Sequence, residues 1–121
     1  MLEQLCENYL RSEFVPDEIR LDYCMVKIGK TLPYVDIVGR SISGNKLYAQ
    51  VTFAENNKAD EKAEMLVDFT KQNGKSIMFS NGLSKKINGL DYTFEIEKVF
   101  SDFMKSKKSK YQQMIKDMIG F

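Results

Sequence analysis

The sequence predicts an α/β protein in which helices flank a mixed β-sheet. Three observations carry this prediction: apolar residues recur at helical spacing in several segments, short runs of β-forming residues are bounded by turn residues, and helical segments both precede and follow the strand segments along the chain. The chain of 121 residues is long enough for one hydrophobic core and short for two. We therefore expect residues 1–121 to form a single domain.

The first helix is indicated by an apolar stripe near the start of the chain. Pro16 ends that pattern, and the next segment, EIRLDYCMVKIG (18–29), alternates and is rich in β-forming residues. We therefore expect a first strand that ends at Gly29, followed by a turn at KTLP (30–33). The helical stripe consists of Leu2, Leu5, Cys6, Tyr9 and Leu10.

A β-hairpin is predicted next. The apolar runs YVDIVGRSI (34–42) and KLYAQVTF (46–53) lie on either side of Gly44-Asn45, which supplies the positive φ of a tight turn. Side chains alternate along a strand, so the second run has one polar and one apolar face, and we expect the apolar face to pack beneath the following helix (59–72). The polar face carries Tyr48, Gln50 and Thr52, and the apolar face carries Leu47, Ala49, Val51 and Phe53.

The second half of the chain begins with a predicted helix in NNKADEKAEMLVDFTKQNG (56–74), which has an asparagine as N-cap candidate and a glycine at its end. The short apolar run KSIMFSNG (75–82) is typical of a buried strand, and LDYTFEI (90–96) is a candidate for a further strand. The predicted order up to this point is one helix, three strands, one helix, one strand and a further strand candidate.

Two further apolar stripes predict helices near the end. One runs from Ile96 to Met104, and the other follows the lysine-rich linker KSKKSK (105–110), so residues 105–121 comprise a linker and a short C-terminal helix. The resulting order is α-β-β-β-α-β-α, with one more strand candidate and one more short helix. The last stripe consists of Tyr111, Met114, Ile115, Met118 and Ile119.

The composition excludes several classes of function. Histidine is absent, which removes Ser-His-Asp and Cys-His catalysis and histidine-ligated metal sites. Cys6 and Cys24 are isolated and are expected to be buried free thiols. The net charge of +1 means that any nucleic acid or membrane would have to be held by local charges. With neither a long apolar run nor a signal-peptide pattern, we expect a cytoplasmic protein with no membrane partner.

Asp36 is the most informative polar residue of the hairpin. It lies between Val35 and Ile37, and an acid within an apolar strand is costly to bury unless it is paired, hydrogen-bonded or bound to a metal. If strand pairing brings Asp36 near Gln50 and Thr52, three polar groups converge on one place.

These residues and the order of elements resemble the restriction-endonuclease-like (PD-(D/E)xK) superfamily over about residues 1–104. The family signature is an aspartate on the second strand, then an acid or glutamine on the third strand, one intervening residue, and a lysine. Asp36 matches the first position, Gln50 the second in its glutamine form, and Thr52 stands where the lysine belongs. The resemblance implies that Asp36, Gln50 and Thr52 are the catalytic positions, and that Asp36, Gln50 and Glu7 are the ligands of Mg²⁺ or Mn²⁺.

The chemistry of that site predicts weak activity or none. Metal-dependent phosphodiester cleavage needs carboxylates to hold the cation and a group that generates the attacking hydroxide, and threonine supplies neither charge nor base. Lys46 or Lys58 could in principle reach in for the absent lysine, but no spacing rule favours either. The alternative interpretation is purely structural: Asp36 caps the turn after Pro33, while Gln50 and Thr52 form a polar pair on a solvated face.

Two classes of function remain. The first is a nuclease-like domain with an incomplete metal site, linked to restriction or defence, which binds DNA or RNA weakly. The second is a non-catalytic adaptor that docks a protein partner or a second copy through Met114, Ile115, Met118 and Ile119. A small-molecule enzyme has the least support, because no cofactor fingerprint is present. The nucleic-acid-binding candidates are Lys85, Lys86, Lys105, Lys107 and Lys108.

Overall fold

The protein is an α/β structure with a five-stranded mixed sheet and four helices. A computed structural model describes residues 2–24, 34–71 and 73–119. The predicted end of the first strand at Gly29 and the KTLP turn lie outside these residues. None of the described helices has the length and apolarity that crossing a membrane requires. The elements are α1 (Leu2–Leu10), β1 (Leu21–Cys24), β2 (Ile37–Ser41), β3 (Lys46–Val51), α2 (Asn56–Thr70), β4 (Lys75–Ser80), β5 (Tyr92–Glu95), α3 (Ile96–Lys105) and α4 (Ser109–Ile119).

The strands lie side by side in the order β1-β2-β3-β4-β5. The first three strands are antiparallel, as the predicted hairpin requires, and Ile37 pairs with Ala49 at the end of the hairpin farthest from its turn. Strands β3, β4 and β5 are parallel to each other. Because a parallel pair needs a crossover, α2 connects β3 to β4. The central strands are consequently covered on both faces.

Leu47, Ala49 and Val51 pack on the side of α1 and α3, whereas Phe53 is exposed, so the expectation that all four pack beneath α2 is wrong. Leu47 and Ala49 belong to the main core cluster together with Tyr9 of α1 and Phe103 of α3. The α2 face of β3 is instead filled by Tyr48, which packs with Leu66. Tyrosine is an amphipathic residue whose ring supplies apolar area, so the supposedly polar face of the strand is buried as well.

Tyr9 of α1 is the centre of the main core. The side chain is fully buried, and its ring centroid lies 6.4 Å from Phe79, 5.5 Å from Phe94 and 5.6 Å from Phe103. Its hydroxyl donates a hydrogen bond of 2.5 Å to Oδ2 of Asp102 on α3. These contacts join α1, the sheet and α3 into one packed unit.

The carboxylate of Asp102 accepts a second bond, from Nζ of Lys98 at 2.9 Å. Burial by itself would raise the pKa of Asp102, but the hydrogen bonds from Tyr9 and Lys98 outweigh it and lower the pKa. Burial and the bond to Asp102 in turn raise the pKa of Tyr9 well above its usual range. Both groups therefore keep their ordinary charge states at neutral pH.

Helix α4 packs on the same core through its apolar face, which the sequence analysis proposed as a docking surface. Tyr111 is buried with its ring centroid 4.9 Å from that of Phe103. Met114, Ile115 and Met118 are partly buried against the same cluster. The structure does not describe the side chain of Ile119. Much of the methionine-rich face is thus covered within the chain.

Replacing Tyr9 by Phe should destabilise the protein mainly above pH 4, because it removes a donor that stabilises ionised Asp102. The lowered folded-state pKa of Asp102 means that its contribution is complete above the ordinary value of 3.8 and is lost as the pH falls through the folded value. We expect the free energy of unfolding to fall by about 1–2 kcal/mol at neutral pH and by less below about pH 3, measured by urea denaturation.

Tyr48→Phe is the matched control, since the Tyr48 ring is also buried and its hydroxyl makes no hydrogen bond with the part of the chain that the structure describes. This variant should show little change at either pH. An equal loss for Tyr9→Phe at both pH values would contradict the role assigned to Asp102.

Candidate functional site

Asp36 lies at a β-bulge immediately before β2. Its backbone N–H donates to the carbonyl of Ala49 at 2.8 Å, while the next residue, Ile37, is the register partner of the same Ala49. Two consecutive residues therefore oppose one, which is the arrangement of a bulge. The flanking residues confirm the break in alternation, because Val35 and Val38 both pack on the α2 side.

The bulge directs the Asp36 carboxylate toward α1 and the end of β3. Its Oδ2 accepts a hydrogen bond of 2.8 Å from the backbone N–H of Val51. Its negative charge also acts on Cys6 of α1: burial, then the charges of Asp36 and Glu3, raise the pKa of the Cys6 thiol to about 12. The carboxylate thus satisfies a main-chain donor at the end of the strand.

The carboxylate lines a cavity of about 240 Å³ between α1 and the first two strands. We call it the Asp36 cavity; its polar lining consists of Glu3, Gln4, Glu7, Cys24 and Asp36. The Glu7 carboxylate lies 3.4 Å from Nε of Arg11. Burial and then the hydrogen bond with Glu7 raise the pKa of Cys24 to about 11. Both free thiols, the buried Cys6 and the half-buried Cys24, are therefore protonated at neutral pH.

Gln50 lies on the opposite side of the sheet from the Asp36 carboxylate. It is 7% exposed, it alternates with Tyr48 along β3, and its register partner on β4 is Met78, which packs with Ala63 of α2. Its Oε1 is buried without a hydrogen-bond partner in the described part of the chain. The expectation that Asp36 and Gln50 share a face is wrong, because the bulge shifts Asp36 out of the alternation of β2.

Thr52 follows the end of β3 and is used locally. Its Oγ1 accepts the backbone N–H of Ala54 at 3.1 Å, and its own N–H donates to the carbonyl of Phe79 at 3.0 Å. The structure therefore brings together Asp36 and Glu7, but it does not add Gln50 to them. The alternative of a solvated polar pair is wrong for Gln50, which is buried.

The Asp36 cavity does not fit a metal centre of the nuclease type. One oxygen of Asp36 is bonded to Val51, and Glu7 is adjacent to the guanidinium of Arg11. Within residues 2–24, 34–71 and 73–119, no group of three or more cysteines and acids is arranged to hold a metal ion. Lys46 begins β3 at the far end of the sheet, so it cannot serve as the absent lysine.

The five lysines predicted to contact nucleic acid form two separate groups. Lys85 and Lys86 follow β4 near α2, where Nζ of Lys85 lies 3.1 Å from Oε1 of Glu64. The other group joins α3 to α4, where Nζ of Lys108 lies 2.5 Å from Oε2 of Glu13. Exposed pairs of this kind contribute little stability, but they reduce the positive charge available to a ligand. The second group consists of Lys105, Lys107 and Lys108.

A third group of cations was missed by the sequence analysis. Arg40, Lys46 and Lys75, from three neighbouring strands, line a groove of about 620 Å³ at the end of the sheet opposite Asp36. We call it the cationic groove; Asn45, Asn73 and Asp91 also line it. The sequence does contain a local pattern that places two of these cations at one end of the sheet. Lys46 and Lys75 directly follow glycine- and asparagine-containing turns, in GNK and NGK.

The architecture defines the class of the molecule as α/β with a mixed sheet. Comparison of the chain with protein-family models, curated proteins and solved structures finds no match. The resemblance to the restriction-endonuclease-like superfamily consequently stays a prediction, based on the order of elements and the signature residues.

Asp36→Ala should lower the free energy of unfolding by about 1–2 kcal/mol, because it leaves the Val51 N–H without its acceptor. Asp36→Asn should cost less, since an amide oxygen can accept the same bond. Glu7→Gln is the control from the same cavity and should change stability little, because the described partners of the Glu7 carboxylate are the side chains of Arg11 and Cys24. The measurement is urea denaturation at neutral pH.

The opposite sign is expected for a metal ligand. Removing one acid from a group of repelling carboxylates that awaits a cation commonly stabilises a protein. A gain in stability for Asp36→Ala would therefore contradict the structural role of this residue.

Proposed function

We propose that this chain is a restriction-endonuclease-like domain that associates with nucleic acid without cleaving it. The order of elements and the pairing of β1 to β4 support the family, since three antiparallel strands are followed by a helical crossover to a parallel fourth. The observation that carries the absence of cleavage is that the signature positions do not meet: Gln50 lies on the opposite side of the sheet from the Asp36 carboxylate, and Thr52 follows the end of β3.

The absence of cleavage follows from the chemistry that surrounds Asp36. Phosphodiester hydrolysis by this class of enzyme requires a cation held by carboxylates and a charged group that assists the attacking water. On β3, the residues nearest to Asp36 by hydrogen bonding are Ala49 and Val51, which offer only main-chain groups. A phosphodiester in the Asp36 cavity would therefore be repelled by the acids that line it.

Nucleic acid is favoured over a protein partner by the surfaces that each would use. The methionine-rich face of α4, which supports the adaptor alternative, is partly buried against the core of the same chain. Cationic side chains, in contrast, are exposed at several places, among them Arg40, Lys86 and Lys107. Because the net charge is only +1, the association should be local and weak.

The purified protein should not cut plasmid, single-stranded DNA or RNA in the presence of Mg²⁺ or Mn²⁺, as followed by gel electrophoresis. Thr52→Lys should also be inactive, because position 52 lies past the end of β3 and already takes part in a turn. Asp36→Asn, which retains an acceptor for Val51, is the control for contaminating nucleases. Metal-dependent cleavage by the natural sequence that disappears in Asp36→Asn would contradict the proposal.

A further inference from the structure

The cationic groove carries positive charge that the described residues do not neutralise. Arg40 and Lys46 are direct register partners on β2 and β3 and lie on the α2 face of the sheet, whereas Lys75 of β4 is the register partner of Leu47 and lines the groove from the opposite face. Like charges directly opposite each other destabilise a sheet. None of these three cations forms an ion pair with a residue in the described ranges. An anionic ligand would relieve the repulsion.

The acid in the described lining, Asp91, offsets one of the three positive charges, so the groove keeps a net positive charge. Oδ2 of Asp91 accepts the backbone N–H of Ser76 at 2.8 Å and lies 3.3 Å from the Ser76 hydroxyl. Asp91 therefore satisfies main-chain and side-chain donors at the start of β4.

Two of the cations are held in position before any ligand arrives. Nη1 of Arg40 donates to the carbonyl of Gly44 at 2.8 Å, and Nζ of Lys46 lies 5.3 Å from the ring centroid of Tyr48. Side chains that are already ordered lose less conformational entropy on binding. The groove thus has the properties of a preformed anion site.

We propose that the cationic groove binds the phosphodiester backbone of a nucleic-acid strand, an inference that rests on the proposed function and locates the association. The guanidinium of Arg40 matches phosphate oxygens with paired donors, and the lysines act as point charges. A volume of about 620 Å³ is much larger than a single inorganic anion needs. Cations from three neighbouring strands can instead contact successive phosphates.

Recognition at this groove is independent of base sequence. Its described lining contains no aromatic side chain on which a base could stack. Contacts to phosphate position a strand but carry no sequence information. The groove is also remote from Asp36, since the six residues of β3 separate the two ends of the sheet by about 17 Å.

The test is a set of fluorescence anisotropy titrations with labelled single-stranded oligonucleotides of two unrelated sequences. Arg40→Gln and Lys75→Gln should each weaken binding on the order of tenfold at about 50 mM salt, and equally for both sequences. Each should also reduce the salt slope, on the order of −2 to −3 for the natural sequence, by about one unit. Lys116→Gln removes the same charge from the exposed surface of α4 and should bind as the natural sequence does.

The titrations distinguish an error in the location of the binding site from an error in the proposed association with nucleic acid. Unchanged binding by the groove variants together with weaker binding by Lys105→Gln or Lys107→Gln would overturn the groove while nucleic-acid association stands. A natural sequence that binds no oligonucleotide would overturn both. Competition by polyglutamate or by a mononucleotide at concentrations equal to those of the oligonucleotide would also overturn the inference, because the ligand would then be any polyanion or a small phosphate compound.

Stability without ligand provides a second readout. Arg40→Gln should raise the thermal midpoint, since it removes the repulsion from Lys46, even though it weakens binding. A purely structural role would lower both quantities. A fall in the midpoint together with weaker binding in both Arg40→Gln and Lys75→Gln would therefore overturn the inference.

Discussion

The bonds between Asp36 and β3 determine how the two central hairpin strands present their side chains. Asp36 gives its N–H to Ala49 and receives the N–H of Val51 on its carboxylate, so β2 gains one residue relative to its partner. Because side-chain direction alternates along a strand, one additional residue exchanges the faces of everything before it. Ile37 can thereby join the aromatic core around Tyr9, while Val35 and the rest of the α2 layer meet on the other side.

The two ends of the sheet carry opposite charges. At one end, an acid that resembles a nuclease ligand is bonded to the main chain and borders a cavity rich in carboxylates. At the other end, three strands deliver Arg40, Lys46 and Lys75 to one groove. A polyanion is repelled from the first and attracted to the second. In the proposed function, the binding groove and the acid at the signature position therefore lie at opposite ends of the strands.

Sequence patterns predicted the helices and strands well, because each amphipathic stripe or alternating run depends on neighbours within a few residues. They did not predict the bulge, since nothing in VDIVG distinguishes a regular strand from one with an additional residue. The error about the faces of β3 had another cause: Tyr48 was counted as polar, although its ring is large enough to fill the α2 layer. The cationic groove depends on the register of three strands, and register is a long-range property that no single segment records.

The most direct test of the role of Asp36 is a titration with Mn²⁺ followed by amide NMR spectra, because a bound paramagnetic ion selectively broadens the signals of nearby amides. If the Asp36 carboxylate is an acceptor for the Val51 backbone and the cavity does not hold a cation, stoichiometric Mn²⁺ will leave the Asp36 and Val51 amide signals as sharp as those of the core. Selective loss of the Asp36, Val51 and Glu7 signals at stoichiometric Mn²⁺ would show that these residues form a metal site and would contradict this assignment.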